Sequence, residues 1–357
     1  MLDRLPNELI LHILELSAPS TYFSRTYFSR QMNLCNCCLV SRQFRQLAQP
    51  LLFAAFEATT SEKLHSFLNA TKAIGLGHHV QAVALLYTVG VRGKTGTAPN
   101  DLVRLAQDCP ALEQLSLPCA GQFDMKRLEV FKHLRSLTLN DAELFTTSPF
   151  VLPLLAELSI CSVSAHRNEL TSIFTPSTLP SLRALAFFGA DHDDGTVFSE
   201  PIETLCSQLH MLSRDVQDYE FHPHSTLASS CPFTLLDCDL ADFTKNWDEI
   251  KLIPHLRLYG HDPTIGAAYT QRHLTDVTNQ LLNTTQTSLR AIYLSPRLHP
   301  DSSLPSPVAQ ARDNFLAACV TRGIEVCWEE VGDWELDSAI SPSFWSKAKA
   351  IKASASG

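Results

Sequence analysis

Beyond residue 75 the chain repeats a short pattern with apolar residues at its first, fourth and sixth positions. Clear copies are Leu112/Leu115/Leu117, Leu134/Leu137/Leu139, Leu155/Leu158/Ile160, Leu182/Leu185/Phe187 and Leu289/Ile292/Leu294. Weaker copies are Val80/Val83/Leu85, Val216/Tyr219/Phe221, Phe233/Leu236/Cys238, Ile253/Leu256/Leu258 and Thr321/Ile324/Val326. The last two apolar positions flank a single residue, the alternation of a short half-buried strand. First positions recur every 17 to 36 residues. The intervals have room for helices, and Asp101–Asp108, Pro201–Leu212, Thr270–Gln286 and Pro307–Arg322 carry helical spacing. Cys109-Pro110 and Cys231-Pro232 stand just before strands, as helix-to-strand turns do, and LHPDSSLPSP (298–307) reads as a surface loop. One strand and one helix per unit, stacked in parallel, predict an α/β solenoid with its strands on the concave face.

The first 56 residues follow a different pattern. Pro6 suits the first position of a helix, and Glu8 lies in its first turn, where negative charge is favoured. Leu9, Ile13 and Leu16 make one face, widened by Ile10 and Leu14. A second helix is expected from an Asn33 cap, carrying Leu34, Cys38 and Leu39 inward. Ser41 caps a third, with Phe44, Leu47 and Ala48 facing in and Pro50 as its stop. Between the first two helices the pentapeptide TYFSR occurs twice in tandem, Thr21–Arg25 and Thr26–Arg30, and reads as a duplication in a tolerant surface loop. After Trp328 the repeat pattern stops. Trp334, Phe344 and Trp345 are expected to cover the open edge of the last repeat, ahead of a disordered tail from about Lys352. The expected division is 1–56, 57–332 and 333–357.

The N-terminal residues resemble the F-box family. The matching pieces are Leu5-Pro6-x-Glu8-Leu9, the Ile13-Leu14 pair, Leu39-Val40-Ser41-Arg42-x-Phe44-Arg45, Ala48, and Pro50-Leu51-Leu52-Phe53. The resemblance implies a three-helix module that binds the Skp adaptor of Skp–cullin–F-box ubiquitin ligases. Carried onto this sequence, the adaptor-binding residues are Leu5, Pro6, Leu9, Ile13, Leu14, Leu39, Val40, Phe44 and Leu51. The five clear strand copies resemble the leucine-rich repeats found in many F-box proteins, fungal ones included, although the usual Asn or Cys after the strand is mostly missing.

Composition narrows the function. Lys plus Arg number 28 against 37 Asp plus Glu, a formal charge of −9. Such a chain lacks the broad positive field of a duplex nucleic-acid or anionic-membrane binder. The N-terminus has Glu8 and Glu15 inside its apolar stretch, unlike a secretory signal, and no apolar run approaches the length of a spanning helix. A cytoplasmic or nuclear protein is expected. The 11 cysteines read as reduced thiols, and Cys35, Cys37 and Cys38 have no second pair with which to hold zinc. Gly90–Thr95 lacks the first glycine of a phosphate loop. Asp191–Gly195 lacks the closing Glu of a calcium loop, and His222-Pro-His224 is a lone pair. Neither enzyme activity, cofactor nor metal is expected.

Two function classes remain. One is a ligase substrate receptor, in which the F-box holds the adaptor and so the cullin–RING ligase, while the repeats hold a protein target. The alternative is a repeat-based interaction scaffold without ligase coupling. For the target, the sequence suggests an acidic patch. Asp218 and Glu220 in the copy at 216–221, and Asp237 and Asp239 in the copy at 233–238, would lie on adjoining rungs, with Arg257 and Tyr259 alongside.

Overall fold

The structure is a computed structural model. It describes residues 5–17, 25–86, 99–161, 167–188, 204–205, 207–214, 235–240, 247–259, 266–285 and 287–328. The chain forms two compact units. The first takes residues 1–158, 162–173 and 177–181, and the second takes 159–161, 174–176 and 182–357. The division therefore falls inside the repeat region, and the N-terminal helices share a unit with the strands that follow them.

The first unit opens with three helices, α1 (Asn7–Ser17), α2 (Arg25–Val40) and α3 (Arg42–Phe53). Their core is Ile10, Leu14, Leu34, Phe44 and Ala48. Three sequence expectations change here. On α1 the buried stripe is Ile10 and Leu14, while Leu9, Ile13 and Leu16 face solvent. α2 begins eight residues before Asn33, so the second TYFSR copy is helical rather than a loop, and Leu39 points outward. α3 runs through Pro50 to Phe53, because a proline in the last turn removes only one late hydrogen bond. Ser41 is the cap of α3, its Oγ accepting from the Phe44 N–H at 3.2 Å.

Next come β1 (Ala55–Ala58) and α4 (Ser61–Ile74), neither of which the leucine pattern signals. β2 (Ala82–Leu85), α5 (Pro99–Asp108), β3 (Gln114–Asp124), β4 (Ser136–Phe145), β5 (Glu157–Cys161) and α6 (Arg167–Ile173) follow. The second unit contains β6 (Ala184–Phe188), β7 (Met211–Arg214), β8 (Leu235–Asp239), β9 (His255–Tyr259), α7 (Ala267–Asn283), β10 (Ala291–Leu294), α8 (Ser306–Arg322) and β11 (Glu325–Trp328).

Strand order equals chain order in each unit. β1 through β4 pair in parallel, as do β6 through β11. Register stacks the pattern's fourth positions into columns. In the first unit the column is Phe56, Val83, Leu115 and Leu137. In the second it is Leu185, Leu212, Leu236, Leu256 and Ile292, followed by Val326 rather than the expected Ile324, so the last copy stands two residues later than its apolar spacing suggested. In the second unit Leu256, Leu258, Ile292 and Leu294 pack with Leu274, Val277 and Leu281 of α7 and Ala311, Phe315 and Cys319 of α8. That sheet-on-helix layer is the core the leucines imply.

One expectation fails around residue 211. A helix was expected from Pro201 to Leu212, yet Met211–Arg214 is strand β7. The copy expected at 216–221 lies outside the described residues. Leu209 and Leu212, both buried, fill the first and fourth slots instead, and Met211-Leu212 pairs with Ala184-Leu185. The Trp334, Phe344 and Trp345 cap and the tail from Lys352 also lie outside the described residues.

Candidate functional site

The exposed face of the three-helix module is fixed by polar ties at its ends. The N–H groups of Leu9 and Ile10 donate to the Pro6 carbonyl at 3.1 and 3.2 Å, so Pro6 stands just ahead of α1 as its cap residue and not at the first helical position. Gln43 of α3 donates its Nε2 to the Leu5 carbonyl at 3.1 Å and to Asn7 Oδ1 at 2.8 Å. Asn33 of α2 donates to the Ser17 carbonyl at 3.0 Å, holding the far end of α1. Arg45 Nε donates to the Cys38 carbonyl at 3.1 Å across the α2–α3 corner.

With the helices held this way, large apolar side chains remain in solvent. Leu9, Ile13 and Leu16 lie four and three residues apart on α1, one face of a helix. Leu39 and Val40 close α2, and Leu39 is 77% exposed. Leucines this exposed each offer roughly 1.5–3 kcal/mol on burial by a partner. Of the residues taken from the family resemblance, Pro6, Leu9, Ile13, Leu39 and Val40 are exposed, and Leu5 and Leu51 are half-buried against the core. Leu14 and Phe44 are correctly placed in the module but not on its surface: both lie in the bundle core, because α1 turns its Ile10/Leu14 edge inward.

Sequence reasoning missed Phe28 and Met32, which stand exposed on α2 in line with Cys35 and Leu39. The signal was present as the 28/32/35/39 spacing, and it is visible only when TYFSR is read as helix. Cys35 is exposed, while Cys37 and Cys38 are half-buried. Burial, then the neighbouring Cys35 and Cys37, push the Cys38 thiol up. Among the described residues no group of three His, Cys, Asp or Glu is placed to hold a metal ion. No described helix is long and apolar enough to cross a membrane.

The described residues include only part of the expected acidic patch. Asp218 and Glu220 lie outside the described residues. The ladder neighbour of β8 is β7, so Ser213 stands opposite Asp237 where the copy at 216–221 was expected. On its other side β8 places Asp237 opposite Arg257 and Asp239 opposite Tyr259. Arg257 alternates with the core residues Leu256 and Leu258 and is buried, so it is not an open cation on the sheet surface.

A three-helix module followed by parallel-stranded α/β units is the class these elements define. Residues 2–55 match the family model F-box-like. The match supports an F-box-like domain at the start of the chain. No curated protein matches the chain.

Proposed function

We propose that this chain is a substrate-recognition subunit of a Skp–cullin–F-box ubiquitin ligase. The F-box holds the adaptor, and the parallel-strand units, read as irregular leucine-rich repeats of a solenoid, hold a protein target. The chain then contributes proximity, and other subunits do the chemistry. This places its work in the cytoplasm or nucleus. The observation that carries the reading is the match over residues 2–55 together with the exposed Leu9, Ile13 and Leu39 on the matched helices. An interaction scaffold without ligase coupling would have no need of that surface.

Capture of a purified Skp adaptor tests the reading. Leu9→Ser with Leu39→Ser is expected to abolish capture, since truncating interface anchors costs about 2 kcal/mol or more each. Both side chains are exposed, so the melting temperature should stay near that of wild type. Capture equal to wild type by the double variant, or none by wild type itself, would sink the ligase reading in favour of the scaffold.

A further inference from the structure

β1 is the first strand of its sheet, paired only with β2. In a strand, alternate residues turn their N–H and C=O groups to opposite sides. The Ala54 carbonyl accepts from the N–H groups of Gln81 and Ala82, and the Ala58 carbonyl accepts from Leu86. Even-numbered residues therefore face β2. Ala55 and Glu57 face the open edge, the kind of edge that invites uncontrolled strand pairing.

Those two edge groups are occupied by side chains of α2. The Glu57 N–H donates to the Tyr27 hydroxyl at 3.1 Å. Gln31 Nε2 donates to the Ala55 carbonyl at 3.1 Å and to the Leu52 carbonyl at 3.4 Å. Tyr27 and Gln31 lie one helical turn apart and so share a face, and their reach matches the spacing of alternate strand residues. Between them Arg30, itself buried, donates Nη1 to the Leu51 carbonyl at 3.4 Å. Leu51 and Leu52 are in the last turn of α3, and the Leu51 carbonyl also accepts from the Ala54 N–H at 3.4 Å. Tyr27 and Arg30 both belong to the second TYFSR copy, Thr26–Arg30.

We infer that the second TYFSR copy, continued by Gln31, is a coupling element: it caps the open edge of β1 and locks the three-helix module to the sheet as one body. The duplication thus supplies a helix extension with an inward polar face rather than a spare loop. The inference deepens the ligase reading, because a rigid joint fixes where a target on the sheet stands relative to the adaptor. The geometry itself does not depend on that reading. Tyr27, Arg30 and Gln31 are positioning residues, acting through backbone they hold.

Amide hydrogen exchange on the full chain tests this without any partner. Tyr27→Phe with Gln31→Glu keeps side-chain size but removes the hydroxyl acceptor and the amide donor. Exchange of the β1 amides, Glu57 above all, should rise about tenfold, while the amides of α1 and of α2 beyond Asn33 keep their protection. Gln31→Lys restores a donor of sufficient reach and should keep Ala55–Ala58 protected. Unchanged β1 protection in the double variant overturns the inference. Loss of protection throughout the helices also overturns it, because α2 would then be a folding element and not a joint. Adaptor capture is scored separately on the same samples, so a failure of the ligase reading cannot be mistaken for a failure of the coupling.

Discussion

At the level of single residues, α1 illustrates what an apolar spacing leaves open. Leu9/Ile13/Leu16 and Ile10/Leu14 are two stripes about 100° apart on one helix, and either could pack inward. Packing against Leu34 and Phe44 selects Ile10 and Leu14. Only tertiary contacts make that choice, so the sequence spacing shows two apolar stripes without sorting core from surface. His255 carries a second residue-scale consequence. Burial first, and then the positive charge of Arg290, lower its pKa, with Glu325 opposing. Its Nδ1 is buried without a hydrogen-bond partner. The unfolded chain, with an ordinary histidine near about 6.5, therefore binds a proton before the folded one does. Stability from this site is complete above that value and is lost as pH falls through it towards the folded pKa. The urea midpoint should fall between about pH 7.5 and 5.5, and less so in His255→Gln. An equal fall in the variant would assign the effect to other groups, His79 among them, whose pKa burial also lowers.

Elements meet closely at the 3-10 turn Gly77–His79, between α4 and β2. A Cβ on Gly77 would stand 2.0 Å from the Asp108 carbonyl oxygen at the end of α5. That neighbour is backbone and cannot swing aside. Gly75, two residues earlier, ends α4 with φ +69 but has open space around it. Gly75→Ala should cost about 1 kcal/mol for its left-handed backbone. Gly77→Ala should cost more, towards about 3 kcal/mol, and expose α5 to exchange. Urea melts of the two variants would refute this if Gly77→Ala proved the milder. The same scale shows why some strands were legible. Leu115/Leu117 and Leu137/Leu139 mark β3 and β4 because leucine pairs bracket one residue. Ala55-Phe56-Glu57-Ala58 has no such pair, and its identity as β1 comes from its register with Ala82–Leu85. Met211-Leu212 and the run at 216–221 both carry apolar spacing. Pairing with β6 decides for the former, and pairing is not written in either segment alone. The target patch depended on the same information, since it rested on which strand lies beside β8.

Across the whole molecule, buried thiols supply a reporter in each unit. Burial pushes Cys109 up to about 12, with Asp108 adding to it, and pushes Cys319 up to about 12 as well. Alkylation needs the thiolate and an open path, so both should stay unlabelled in native protein at neutral pH. Cys35, exposed on α2, should label first among the described cysteines. Peptide mass spectrometry through a denaturant series would then time the opening of the first unit by Cys109 and of the second by Cys319. Labelling of Cys109 as fast as Cys35 in native buffer would contradict the packing around it. The strand order carries a last consequence, for synthesis. Domains gain structure from the N-terminus as the chain leaves the ribosome. Here each strand emerges after the neighbour on which it lies, so its hydrogen-bonding template already exists. None of the described strands has to wait, edge open, for a partner from far downstream; the chain can be zipped up at the pace of translation.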